Sequence, residues 1–400
     1  MSAESRGQVR VHVFGRTDVG QIREHNEDNF LVADLTRKSR SLMEPDREQV
    51  VGERGTVFGV CDGMGGAAAG EVASQLAVDI IYERLGDGEP PTTHNDIARR
   101  LVRAVEEAGV RIFNEARADR TRRGMGTTAT VAALIDHRLF VAQVGDSRAY
   151  ILRGDRLVQV SRDQSLVNQL IEAGQLTEEE AETFEHNNII LQALGTAETV
   201  QVDLTYVDLC KGDLLLLCSD GLSGMIRADE IREVVVSIRD PLEACRELTE
   251  RANRVGGHDN ITVIIAVFDG PGLPDVDPST PEPAYKKYPL PERSAADFSF
   301  MAAPSPEPRV EEPTVNEDLL REPRRLRVGH TVMGLTNPLA AGALSVDAGD
   351  PGARSVVRAD EQYVDEPIEL PTSGLPPSLV GFMVLGAMVL VAVAGFLLLR

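Results

Sequence analysis

The sequence predicts a layered α+β head, followed by a polar tether and an apolar C-terminal tail. Three observations carry this expectation. Several β-rich runs follow one another through short polar turns, a connection that joins neighbouring antiparallel strands. The helical patterns stand in separate blocks and do not alternate with single strands, so a doubly wound parallel sheet is not expected. Proline then divides the chain, with four of the 22 before residue 270 and 18 after it.

The elements follow in order. Val57–Cys61 is a short apolar run that ends at Asp62-Gly63, as a buried strand does. Ala67–Leu85 holds good helix formers and no proline. Asp96–Ala118 repeats Ile97, Leu101, Val105, Ala108 and Ile112 at helical spacing. Strands are expected over Thr127–Ile135, Leu139–Val144, Arg148–Leu152 and Leu157–Val160, with polar turns at Asp136-His137-Arg138 and Arg153-Gly154-Asp155. Asp213–Ser219 and Ile261–Phe268 read as further strands. Between them, Ala228–Ser237 and Pro241–Val255 read as helices. No internal repeat is visible.

Residues 271–374 are proline-rich with few aromatics. Such a stretch buries too little apolar surface to offset chain entropy, so it reads as a disordered linker. Leu379–Leu399 is 21 residues without a charge, followed by Arg400. About 20 apolar residues cross a bilayer as a helix, so a membrane span is expected there. The first ten residues, MSAESRGQVR, carry no apolar core and are not expected to act as a signal peptide.

Charge and composition exclude several functions. There are 41 Lys+Arg against 63 Asp+Glu, a formal net charge of −22. That balance opposes general nucleic-acid binding, which needs a positive field to displace counterions. It also opposes docking of the head on anionic lipid. Cysteine occurs only at 61, 210, 218 and 245, without a C-x-x-C pair, so neither a disulfide framework nor a structural zinc site is expected. With no Trp and 4% aromatics, a stacking platform for single strands is not expected.

The chemistry gathers in six short motifs at the ends of expected strands. They are Arg23…Asn26-Glu27-Asp28, Asp62-Gly63-Met64-Gly65-Gly66, Gly126-Thr127-Thr128-Ala129, Gly145-Asp146-Ser147-Arg148, Ser219-Asp220-Gly221 and Asp259-Asn260. A carboxylate at the end of an apolar strand is costly unless it is paired or binds a cation. Taken singly, each Asp-Gly is an ordinary turn. Converging together, such carboxylates suit a hard divalent ion, since Mg2+ and Mn2+ prefer oxygen ligands.

Competing readings fail on particular residues. Gly63-Met64-Gly65-Gly66-Ala67-Ala68 fits a dinucleotide loop, but Asp62 would repel a pyrophosphate. The acid about 20 residues on is Glu83, which is still inside a helix and not at the end of a second strand. No Walker-type loop occurs. Gly145-Asp146-Ser147-Arg148-Ala149 lacks the last glycine of a nucleophile elbow.

The set resembles the metal-dependent Ser/Thr protein phosphatases of the type 2C family, its bacterial branch in particular. The matching segments are TDVGQIREHNEDNF (17–30), VCDGMGG (60–66), GMGTTAT (124–130), VGDSRAY (144–150), SRDQSLV (161–167), CSDGLSG (218–224) and HDNITVI (258–264). They run in the family's order through residues from about 10 to 269. The resemblance implies a four-layer α-β-β-α sandwich of two antiparallel sheets flanked by helices, with a metal cleft at one end. The implied division is a catalytic domain over 1–270, the linker over 271–374 and a separate transmembrane helix over 379–399.

The resemblance also implies roles. Asp62 bridges two Mn2+ or Mg2+ ions, with the Gly63 carbonyl on one, while Asp220 and Asp259 hold the other. Glu27 and Asp28 bind directly or through coordinated water. Asp146, with Asp220, takes a third and weaker ion. Water shared by the two ions attacks phosphorus in line, and Arg23 grips the phosphate through its planar fork. Where some members place a histidine after the Asp-Gly pair, this chain has Met64, so coordinated water is the expected acid. His25 and His258 are read as supporting residues, and Gln164 stands where the family often has histidine. Residues 165–195, with Glu178-Glu179-Glu180, match the variable flap beside the cleft.

The implied function is hydrolysis of phosphoserine and phosphothreonine on proteins, opposing Ser/Thr kinases at the cytoplasmic membrane, with the head facing the cytoplasm. The expected partners are phosphoproteins, Ser/Thr kinases and, through the tail, the lipid bilayer; nucleic acid is not among them. The alternative is a pseudophosphatase or phosphoprotein-binding module, which loss of a metal ligand would favour; none is lost. A general phosphodiesterase is a third reading. The basic island Arg321, Arg324, Arg325 and Arg327 reads as a solvated charge run, with anionic lipid or a kinase as the alternative partner.

Overall fold

The computed structural model describes residues 8–290, apart from 45–46, 66–68, 183, 185–187 and 278. In chain order the strands are β1 (Arg10–Asp18), β2 (Asp28–Asp34), β3 (Glu48–Val50), β4 (Thr56–Met64), β5 (Gly126–Thr127), β6 (Ala129–Ile135), β7 (Arg138–Val144), β8 (Arg148–Arg153), β9 (Arg156–Gln159), β10 (Asp203–Asp208), β11 (Leu214–Cys218) and β12 (Ile261–Asp269). The helices are α1 (Ala69–Gly86), α2 (His94–Ala118), α3 (Leu166–Glu172), α4 (Glu178–Glu182), α5 (Asp220–Ser223), α6 (Ala228–Ser237) and α7 (Pro241–Arg254).

The strands form two antiparallel sheets. The first has the order β3-β1-β12-β11-β8-β9, and the second β10-β7-β6-β4-β2, with β5 also on β4. Side chains alternate between the faces of each strand, and here both faces are covered. In β4, Val57 and Cys61 pack with Ala73, Ala77, Ile97 and Leu101 of α1 and α2. Phe58 and Val60 of the same strand face the first sheet, where they meet Leu215, Leu217, Ile264 and Phe268. The outer face of the first sheet packs Leu216, Val263 and Ile265 on Ile231, Val234 and Leu248 of α6 and α7. Three cores thus separate four layers. Burial on both faces explains why these strands read as continuous apolar runs. At the central seam the Phe58 and Phe268 rings meet edge to face at 6.2 Å. Burying each such ring contributes about 1.5–3 kcal/mol.

Most expected elements are found within a residue or two. The α2 helix begins earlier than the spacing suggested, because Thr93 and Asp96 form a capping box. The expected run Thr127–Ile135 is interrupted at Thr128, although one register continues across the break, with Gly63 opposite Thr127 and Val60 opposite Thr130. Thr128 turns to Asp62 instead: its amide donates to the Asp62 carbonyl at 2.8 Å, and its Oγ1 accepts from the Asp62 amide at 2.9 Å. Strands β1, β2, β3 and β10 were not anticipated.

Residues 271–290, expected within a disordered linker, pack on the head. Arg153 donates to the Pro281 carbonyl at 2.6 Å. Tyr206 and Tyr288 of the β10 edge and this strap exchange backbone bonds with Lys286 and Leu204, at 3.1 and 2.8 Å. The Tyr288 ring sits edge-on to Phe140 and Tyr206, and its hydroxyl donates to Asn95 at 2.7 Å. The strap therefore covers a sheet edge that would otherwise expose unpaired backbone groups. The rest of the expected linker, the basic island and the expected span over 379–399 lie outside the described residues. Among the described residues no helix is long and apolar enough to cross a membrane.

Candidate active site

The motif residues converge where the strands of both sheets end. Asp28 opens β2 and pairs across the ladder with Asp62 of β4. Asp220 opens α5 directly after β11, and Asp259 stands two residues before β12. Asp146 lies in the turn between β7 and β8. Glu27 and Arg23 sit on the loop that crosses from β1 of the first sheet to β2 of the second.

Hydroxyl groups on β12 and just past β11 of the first sheet hold Asp28 of the second. Ser219 and Thr262 both donate to Asp28 Oδ2, at 2.8 and 2.7 Å. Its other oxygen, Oδ1, is buried without a partner, as are Asp146 Oδ1 and Asp220 Oδ1. Gly63 permits close backbone approach: a Cβ there would lie 2.3 Å from the Gly70 carbonyl oxygen and 2.4 Å from that of Glu27. Only glycine fits. The turn bearing Asp146 is clasped by Gln164, whose amide donates to the Gly145 carbonyl at 2.8 Å while its Oε1 accepts from the Gly145 amide at 3.0 Å. Gln164 thus has a structural duty that sequence did not suggest.

Like charges and burial raise the acids' affinity for protons. Burial, joined by repulsion from Asp220 and Asp259, pushes the Asp28 carboxyl up to about 7 against the Thr262 and Ser219 bonds. Burial, with Asp220 and Asp163 nearby, also pushes Asp146 up to about 7. Asp62 is raised well above its ordinary value by burial and then by repulsion from Asp28 and Asp220. Asp220 is raised mainly by burial. Glu27 is raised by burial too, with Arg23 opposing.

This is an oxygen-only donor set with three orphaned buried oxygens, and it fits a hard divalent cation. Among the described residues no three His, Cys, Asp or Glu already stand in closed ligand geometry, so the acids are gathered but not caged. Arg23 Nη2 donates to Asp259 Oδ2 at 2.8 Å. Met64 is half-buried, while His25 and His258 are exposed. The expected flap contains α3 and α4. Beside it a cavity of about 350 Å³ is lined by Arg162, Asp163, Asn168, Glu172 and Tyr285, among others. Sequence reasoning passed over Ser219, Thr262 and Asn260, which lie within or beside quoted motifs and hold the site by hydrogen bonds.

Comparison with known proteins agrees with this geometry. Residues 38–262 match the family model described as "Protein phosphatase 2C". The chain is 36% identical over 255 residues to the serine/threonine phosphatase stp of Listeria innocua, covering 64% of this chain and 95% of that one. It is 39% identical over 249 residues to the protein phosphatase PhpP of Streptococcus pneumoniae, covering 62% and 94%. A solved catalytic domain of the phosphatase PstP, in complex with two manganese ions, superposes with a TM-score of 0.55 at 33% identity, covering 65% of this chain and 99% of that one. With motifs, sheet order and relatives in agreement, the chain belongs to the protein phosphatase 2C family.

Proposed function

We propose that this chain hydrolyses phosphoserine and phosphothreonine monoesters on proteins, with two Mn2+ or Mg2+ ions as the cofactor its acids would hold. As a member of its family it is a protein serine/threonine phosphatase; the observation that carries the finer reading is the convergence of Asp28, Asp62, Asp146 and Asp220 with three buried, unpartnered oxygens. Asp62, the Gly63 carbonyl, Asp220 and Asp259 would hold the two ions, with Glu27 and Asp28 binding directly or through water. Asp146 and Asp220 would take a third, weaker ion. When bound, the ions supply Lewis acidity that acidifies water and offsets charge on the transferring phosphoryl group.

The chain's own residues do the rest. Arg23 lies at the rim of the acids, where its fork can take two phosphate oxygens. The hydroxyls of Ser219 and Thr262 keep Asp28 turned so that Oδ1 faces the site. Met64 holds no transferable proton, and His25 and His258 face solvent, so the leaving alkoxide takes its proton from water. The test is Mn2+-dependent release of phosphate from a phosphothreonine peptide by the full chain. Turnover surviving undiminished in Asp62→Asn would refute the assignment, and peptide binding without turnover in the native chain would favour a binding module.

The tail extends this reading. The 21 uncharged residues Leu379–Leu399 support a single-pass anchor in the cytoplasmic membrane, with the catalytic domain on the cytoplasmic side among Ser/Thr kinases and their substrates. Fractionation of cells expressing the chain with and without 379–400 tests it. An anchored enzyme leaves the membrane fraction only in the truncated form.

A further inference from the structure

We propose that Asn260 is a positioning residue whose side-chain amide sets Arg23 for phosphate; this rests on the reading of Arg23 given above. The loop over 19–27 carries Arg23 across from one sheet to the other. Apolar burial does not hold it: Ile22 is 67% exposed, and the chain from Gln21 to His25 lies at the surface. Hydrogen bonds hold it, and one side chain makes three of them. Asn260 Oδ1 accepts from the Glu27 amide at 2.8 Å, while its Nδ2 donates to the Val19 carbonyl at 3.0 Å and the His25 carbonyl at 2.9 Å.

Both ends of the loop, and the residue two beyond Arg23, are thereby tied to one buried amide, which is 3% exposed. Only an amide offers an acceptor and two donors in one plane. The backbone adds little slack. The Gln21 amide donates to the Gly257 carbonyl at 2.7 Å. Gly20, at φ +80°, leaves no room for a Cβ, which would fall 2.2 Å from the Asp259 carbonyl oxygen.

A second route links Asn260 with Arg23. The Asn260 backbone amide donates to Asp259 Oδ1 at 2.8 Å, and Arg23 occupies Oδ2 of the same carboxylate at 2.8 Å. The Asp259 plane is thus set from one side by residue 260 and meets the guanidinium on the other. Shortening Asn260 removes no charge, yet it frees the arginine's backbone.

The experiment is a double-mutant cycle of Asn260→Ala and Arg23→Ala in the full chain at saturating Mn2+. The readouts are the KM for a phosphothreonine peptide, kcat, the Ki of inorganic phosphate, and hydrogen exchange of the segment 19–27. Asn260→Ala is expected to raise KM and Ki by about tenfold with a smaller change in kcat, and the effect should vanish in the Arg23→Ala background. Exchange over 19–27 should quicken with or without substrate. Equal losses in both backgrounds, or a loss confined to kcat, overturns the proposal. If Arg23→Ala itself leaves KM and Ki unchanged, the phosphate-binding reading of Arg23 fails first. Should Asn260→Ala not melt cooperatively, Asn260→Asp takes its place, since it keeps the acceptor for Glu27 and loses both donors.

Discussion

Arg23 and Asp259 form an ion pair of 2.8 Å between the loop before β2 and the turn before β12, and both side chains remain partly open to water, at 48% and 36% exposure. A pair so exposed contributes only about 0–1 kcal/mol to stability. The arginine can therefore exchange this partner for phosphate at small cost. Arg23→Ala is expected to raise the peptide KM by about 10- to 100-fold while leaving the unfolding free energy within about 1 kcal/mol of native. Steady-state kinetics beside urea denaturation check both halves.

The buried acids trade stability for chemistry. Asp62 is held against Asp28 and Asp220, so removing its charge relieves repulsion. Asp62→Asn is expected to abolish turnover, by about 10³-fold or more, while raising the melting temperature of the metal-free protein by a few degrees, roughly what 1 kcal/mol supplies. A lowered melting temperature in EDTA would contradict this account of the site.

The pH dependence has a defined sign. Asp28 and Asp146 have folded values near 7, above the 3.8 of a free aspartate. A raised carboxyl value favours the fold most below about pH 4. Between about pH 4 and 7 the unfolded chain gives up its protons while the fold retains them, and that share of stability is lost. In EDTA, the stability of native protein relative to Asp28→Asn should therefore fall as pH rises from 4.5 to 7.5. Saturating Mn2+, which favours the ionised acids, should flatten or reverse the trend. Thermal melts across the range provide the measurement.

The strap is expected to stabilise the head. Tyr288 is half-buried against Phe140 and Tyr206 and hydrogen-bonded to Asn95. Tyr288→Ala should cost about 1–3 kcal/mol, less than full burial of an aromatic would imply. Its effect on kcat should be slight, because none of its partners belongs to the acid cluster. Chemical denaturation with a parallel assay separates the two.

Asp62, Asp146, Asp220 and Asp259 stood out because each follows or precedes an expected strand run within a short motif, whereas Asp28 stood out by its motif alone, since the strand it opens was not expected. The central strands were legible because burial on both faces leaves them mostly apolar, with only scattered polar residues such as Thr130, Gln143 and Thr262. Strand β1 was missed although Val11 and Val13 alternate with polar residues. Its partner β12 lies some 250 residues away in register, Arg10 opposite Asp269. The strap was missed for a related reason. It is polar and proline-bearing, and its order comes from Arg153, Leu204 and Tyr206, not from any pattern of its own. Asn260 escaped because its duty depends on three backbone groups more than 230 residues earlier.

The hydroxyls that reach Asp28 come from the opposite sheet, and this has a consequence for how the enzyme ages under heat. Ser219 and Thr262 belong to one layer and the carboxylate they orient to another, so the site measures how the two layers are seated. A displacement of about 1 Å at reacting groups can cost about 100-fold in rate, so a small shift between the layers should reach turnover before it unfolds the chain. Activity should decline several degrees below the melting point, making turnover an early gauge of interlayer slippage.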